Sequence, residues 1–194
     1  MGLTPHARRN DHVMDRYWLL TWTMYANWLP GDPRGSVTTI SDHESSRFRP
    51  NEPHTPYCEP MPGLHESAKR LTVGQPIRLT LDQASVARTQ FQETASFRGW
   101  DLLAVAIMAN HVHLVVGVPG DPDPADLLKD FKSYASRALN KRFGKPVSGT
   151  WWTESGSRRK LADESAIVAA VRYVLDQNHP LIVWPSGERG ASAP

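Results

Sequence analysis

At 194 residues, 40% of them hydrophobic, the chain is long enough for one domain with a sizeable core. Its 22 Lys and Arg nearly balance 20 Asp and Glu, and its single cysteine, Cys58, excludes an internal disulfide and a cysteine zinc cluster. No apolar run approaches the roughly 20 residues of a membrane span, and the opening MGLTPHARRND lacks an apolar signal core. A protein of the reducing cytoplasm, without a membrane partner, is therefore expected.

Residues 1–14 read as a disordered basic arm and 185–194 as a disordered tail, which leaves 15–184 as the domain. YWLLTWTMY, from Tyr17 to Tyr25, is rich in aromatic and β-branched residues and predicts a first strand. NWLPGDPRG, with Pro30, Gly31, Pro33 and Gly35, breaks it. A Pro-rich insertion occupies about 36–76, with a short helix near 64–71. Thr80 and Gln83 stand in capping-box spacing and start a helix that runs to about Phe97 and stops at Gly99. Trp100 to Met108 predicts a buried strand, Ala109-Asn110 a tight turn, and 111–118 the returning strand. Pro124-Ala125-Asp126 opens a helix with the apolar stripe Leu128, Phe131, Ala135, Ala138 and Leu139, ending near Gly144. GTWWTES and SRRKLA read equally as a strand pair or a loop. Asp163 or Ser165 caps a last helix through about Asn178, Pro180 stops it, and LIVW (181–184) closes the sheet. The order predicts an α+β fold: an antiparallel sheet with helices on one face.

Three features carry chemistry. Within ANHVHLVV, residues i and i+2 of a strand share a face, so His111 and His113 project together while Val112 and Leu114 project the other way. Two such imidazoles can bind one metal ion, but with eight histidines in the chain the triplet is also an ordinary coincidence. In the last helix Tyr173 and Gln177 lie one turn apart, with Ala169 and Ala166 before them and Ile167, Val171, Val174 and Leu175 turned to the core. A helical tyrosine of this kind often just half-buries its ring and leaves its hydroxyl in water. Finally, residues 129–160 hold nine Lys and Arg against two acids. That imbalance is either a solvated face or a site for an anionic partner.

MANHVHLVV, LLKDFKSYASRALNKRF, TWW and VRYVLDQNHP stand in an order and at spacings that resemble the HUH single-tyrosine transposases, most closely the REP-associated tyrosine transposases. The resemblance spans roughly Tyr17 to Trp184, apart from much of 36–76. It implies a ferredoxin-like core with the His-Val-His motif on a central strand. It implies a divalent metal, Mg²⁺ or Mn²⁺ in use, held by His111, His113 and a polar residue of the tyrosine helix. Zn²⁺ or Ni²⁺ would bind such ligands more tightly. It further implies that Tyr173 attacks a metal-polarised phosphate of single-stranded or hairpin DNA, giving a 5′-phosphotyrosine and a free 3′-OH. Lys129, Lys132, Arg137, Lys141, Arg158, Arg159 and Lys160 then border one DNA groove leading to the histidines.

The chain departs from the REP-associated pattern in two places. Gln177 stands where an asparagine followed by proline is usual, with Asn178 as a rival ligand, and 155–160 carries no acid. Gln177 is the expected third ligand. The protein is a monomer or homodimer, its active site built in cis or in trans. Two other classes remain: a non-catalytic nucleic-acid-binding domain, domesticated from such a transposase, and a water-using metallohydrolase. The latter would want an acid near the histidines, and 105–120 offers Asn110 alone.

Overall fold

The computed structural model describes residues 14–33, 40–41, 47–48 and 61–185. The expected basic arm, nearly all of the tail, and much of the Pro-rich insertion with Cys58 and Tyr57 lie outside the described residues. The elements in chain order are β1 (Arg16–Thr23), β2 (Ile40–Ser41), β3 (Arg47–Phe48), α1 (Pro62–Arg70), α2 (Leu81–Arg98), β4 (Asp101–Ile107), β5 (His111–Val118), α3 (Pro124–Phe143), β6 (Ser157–Leu161), α4 (Glu164–Leu175) and β7 (Ile182–Trp184). Among the described residues β2 and β3 pair only with each other.

The other five strands form one antiparallel sheet in the order β6-β1-β5-β4-β7. Within it, β1-α2-β4-β5-α3-β6 traces the ferredoxin-like path, with β5 central. Local chemistry sets the boundaries. Thr80 Oγ1 accepts from the Gln83 amide while the Gln83 side chain accepts from the Thr80 amide, which completes the capping box of α2. Gly99 ends that helix with φ 69°, a left-handed angle that costs a glycine little. Asp123 and Asp163 cap α3 and α4 through their side chains.

Alternation along the strands gives the sheet two different faces. Trp18, Leu20, Trp22, Val112, Leu114 and Val116 pack against Ala87, Phe91, Phe131, Ala135 and Leu139 of α2 and α3. Trp22 meets Phe91 and Trp152 edge-on, at centroid distances of 5.5 and 6.2 Å. On the opposite face Ala104, Ala106, Met108, Val115 and Leu161 pack against Ala170 and Val174 of α4. The α+β class and the antiparallel sheet are as expected, but the helices do not all share one face. α4 crosses behind the sheet because its stripe (Ala166, Ile167, Ala170, Val171, Val174) fits the small alanines of β4.

Two other expectations are refined. SRRKL is a strand, β6, whereas GTWWTES is irregular, joined to the strand end by the bridge between Met24 and Trp152. α4 stops at Leu175, three residues early, and Gln177 lies beyond it. Among the described residues no helix is long and apolar enough to cross a membrane.

Candidate active site

His111 and His113 stand on β5, in the middle of the sheet, and face α4. Their rings meet at 4.9 Å between centroids, nearly perpendicular. The ring of Tyr173, brought in by α4, lies 5.2 Å from that of His113. Half of Tyr173 remains exposed, whereas His113 is only 6% exposed. The strand, its neighbours and the helix thus join the three residues that the sequence singled out, within one chain.

Both imidazoles use Nδ1 for a protein partner. His111 Nδ1 is 2.8 Å from Asn110 Oδ1, and His113 Nδ1 is 2.7 Å from Thr21 Oγ1. An amide oxygen only accepts, so His111 carries its proton on Nδ1 and presents a lone pair at Nε2. Burial holds His111 below the usual histidine range. It pushes His113 down to about 4, with the neighbouring His111 adding to the effect. Neutral rings with occupied Nδ1 atoms are what a divalent cation requires of imidazole ligands. Among the described residues no cluster of three or more His, Cys, Asp and Glu offers a metal site. The groups gathered here are two imidazoles with a phenol beside them, a set that fits a cation keeping open positions for phosphate oxygens.

Gln177 is not on the helical face expected for it, because the helix has already ended. Asp176 caps α4, and the chain turns through His179 at φ 53° ahead of Pro180. Its side chain folds back instead, and Nε2 donates to the Tyr173 carbonyl at 2.9 Å. That bond ties the amide to the backbone carbonyl of Tyr173 rather than to its ring. Asn178 is exposed, also beyond the helix. Tyr134 sits on α3, across the sheet from the histidines, with the Arg137 guanidinium 5.0 Å above its ring. Tyr17 and Tyr25 flank the two ends of β1, and neither approaches the imidazole pair in a ring contact.

The basic residues do not line one groove. Lys132 is buried among the apolar positions of α3, and its ammonium donates to the carbonyls of Thr153, Glu154 (3.0 Å) and Ser155 (3.0 Å). Burial lowers it to about 8, and its three N–H groups are spent on those carbonyls. It pins the 153–155 segment rather than meeting solvent. Lys129, Arg137 and Lys141 are exposed on α3, on the side of the sheet away from the histidines. Strand alternation divides the run on β6. Arg159 pairs with Leu19 and shares the histidine face, whereas Arg158 and Lys160, paired with Leu20 and Trp18, lie on the other side.

The model of the IS200-like transposases matches residues 78–177, just over half of the chain. The chain belongs to the IS200-like transposase family. The matched stretch of this transposase includes His111, His113 and Tyr173 and ends at Gln177, whereas β1 lies outside it. Two solved structures are similar. One is a REP-associated tyrosine transposase bound to a REP hairpin: 12% identity, 87% of this chain and 69% of that chain covered, TM-score 0.47. The other is a candidate transposase from Deinococcus radiodurans R1: 15% identity, 89% and 98% covered, TM-score 0.44. No curated protein matches the chain.

Sequence reasoning missed Thr21 and Asn110 as partners of the imidazoles. Asn110 carried a signal, since it directly precedes His111 in a two-residue turn. Thr21 carried none, because its pairing with His113 depends on the register between two strands 92 residues apart.

Proposed function

We propose that this transposase cuts and rejoins single-stranded or hairpin DNA through a covalent bond to Tyr173. The observation that carries the reading is the phenol ring packed against the buried His113 of a neutral imidazole pair. Tyr173 Oη attacks a backbone phosphorus, the bond to the 3′ oxygen breaks, and a 5′-phosphotyrosine and a 3′-OH result. The phenol proton passes to solvent as the new bond forms, and the departing 3′ oxygen takes up a proton from water. The free 3′-OH of the same or another strand then attacks the phosphotyrosine and expels the phenolate, which restores a phosphodiester and transfers the strand. His111 and His113 through Nε2, with the Gln177 carbonyl, would hold a divalent cation, Mg²⁺ or Mn²⁺. When bound, that cation supplies Lewis-acid polarisation of the phosphate. Half-exposure of Tyr173 supports this reading, because the nucleophile stays open to a strand arriving from solvent.

A pool of end-labelled single-stranded and hairpin oligonucleotides of randomised sequence, incubated with Mn²⁺ and run on a denaturing gel, tests the proposal. A protein–DNA species that is lost in EDTA and in His111→Ala is expected. Full adduct formation in EDTA would refute the metal role. DNA binding without any adduct would favour the non-catalytic alternative.

A further inference from the structure

We infer that Thr21, on β1, is a positioning residue of the metal site: its hydroxyl accepts from Nδ1–H of His113 and so directs Nε2 of that ring toward the cation. The inference rests on the metal reading above and adds a residue outside the stretch that matches the family. Thr21 and His113 are direct cross-strand partners in the antiparallel pair β1–β5, so their side chains stand side by side on one face. Their polar atoms are 2.7 Å apart.

Burial makes this contact consequential. His113 is 6% exposed, so water has little access to replace a lost partner at Nδ1. The ring has two neutral tautomers, and only the one protonated at Nδ1 leaves a lone pair on Nε2. Asn110 fixes His111 from the turn by the same logic, with an oxygen that can only accept. A hydroxyl does not impose a direction alone. At His113 the direction follows from the metal reading, which requires a lone pair on Nε2 and so the proton on Nδ1.

The position of Thr21 is itself braced. Gly156 lies against it so closely that a Cβ there would be 2.7 Å from the Thr21 carbonyl oxygen. The residues just before that glycine are held by Lys132. Thr23, the next residue on that face, shares a hydroxyl contact of 3.1 Å with Thr153. The strand is thus clamped from the β6 side at the point where it meets the histidine.

The experiment compares the wild type with Thr21→Val, which keeps the branched shape and removes the hydroxyl, and with Thr21→Ser, which restores it. Long-range ¹H–¹⁵N correlation spectra of the metal-free protein read the tautomer of each histidine. Mn²⁺ titration followed by electron paramagnetic resonance reads the affinity. His113 is expected as the Nδ1–H tautomer in wild type and Thr21→Ser, with that preference lost in Thr21→Val. The Mn²⁺ dissociation constant should rise about 10- to 100-fold in Thr21→Val and stay near wild type in Thr21→Ser. An Nε2–H tautomer in the wild type, or unchanged tautomer and affinity in a folded Thr21→Val, would overturn the assignment of Thr21. A wild type whose Mn²⁺ binding is indifferent to His113→Ala would overturn the metal reading, and the role of Thr21 with it.

Discussion

Lys132→Met is the substitution that best separates a structural lysine from a DNA contact. Methionine preserves most of the buried stem and removes the ammonium, leaving the carbonyls of Thr153, Glu154 and Ser155 without their donor. A buried acceptor stripped of its partner costs about 1–3 kcal/mol. Glu154 and Ser155 are exposed, so water can reach two of the three carbonyls, whereas Thr153 is half-buried. The substitution also removes the cost of burying a charge, which already pulls Lys132 down to about 8. The net loss is then about 1–2 kcal/mol, which for a chain of this size lowers Tm by roughly 2–8 °C. Thermal unfolding measures this, and DNA binding at 20 °C over a salt series supplies the contrast. Affinity and salt slope should stay at wild-type values in Lys132→Met. Arg159→Gln, on the histidine face, should flatten the slope by about 0.7 on single strands. If Lys132→Met leaves Tm unchanged and flattens the salt slope, the lysine meets DNA and the internal role is wrong.

Other outcomes follow from the same geometry. Gln177→Ala should raise the Mn²⁺ concentration needed for half-maximal cleavage more than it lowers the saturated rate; an effect confined to the saturated rate would remove Gln177 from the ligand set. In EDTA, His113 should titrate near 4 instead of 6.5. Between those values the unfolded chain binds more protons than the folded one, so stability is complete above pH 6.5 and falls by up to about 3 kcal/mol as pH drops toward 4. Urea unfolding at several pH values would show this slope reduced in His113→Gln, and equal slopes would contradict the burial argument. Gly156→Ala should destabilise the fold and weaken Mn²⁺ binding together, since its Cβ collides with backbone at Thr21; a fully stable variant would show that the 153–157 chain is not pressed on β1.

Much of the site was legible because the period of a strand is two. His111 and His113 had to share a face once 111–118 was a strand, and the capping box at Thr80 with Gly99 delimited the helix before it. The same period, applied to β6, already divides Arg159 from Arg158 and Lys160. Counting charge along the chain concealed that division. Lys132 gave a similar signal: it sits four residues after Leu128 and seven before Leu139, inside the stripe that turns inward. Which face of the sheet α4 crosses was not legible, because an apolar helix stripe fits either face until the alanines of β4 and the tryptophans of β1 are assigned to opposite sides. The early end of α4 was hidden for a local reason. Asp176, Gln177 and Asn178 are all compatible with a last turn, and the break comes from the backbone at His179 and Pro180.

The most direct test of the central claim is to locate the DNA on the protein. The covalent species formed with single-stranded DNA is digested with nuclease and trypsin, and the modified peptide is sequenced by mass spectrometry. Cleavage after Arg172 and Arg189 releases a peptide whose first residue is Tyr173 and which contains no other tyrosine, whereas Tyr134 falls in the short peptide Ser133–Arg137. A nucleotide phosphate on Tyr173, absent in Tyr173→Phe while that variant still binds DNA, is the predicted result. A nucleotide phosphate on Tyr134, persisting in Tyr173→Phe, would contradict it.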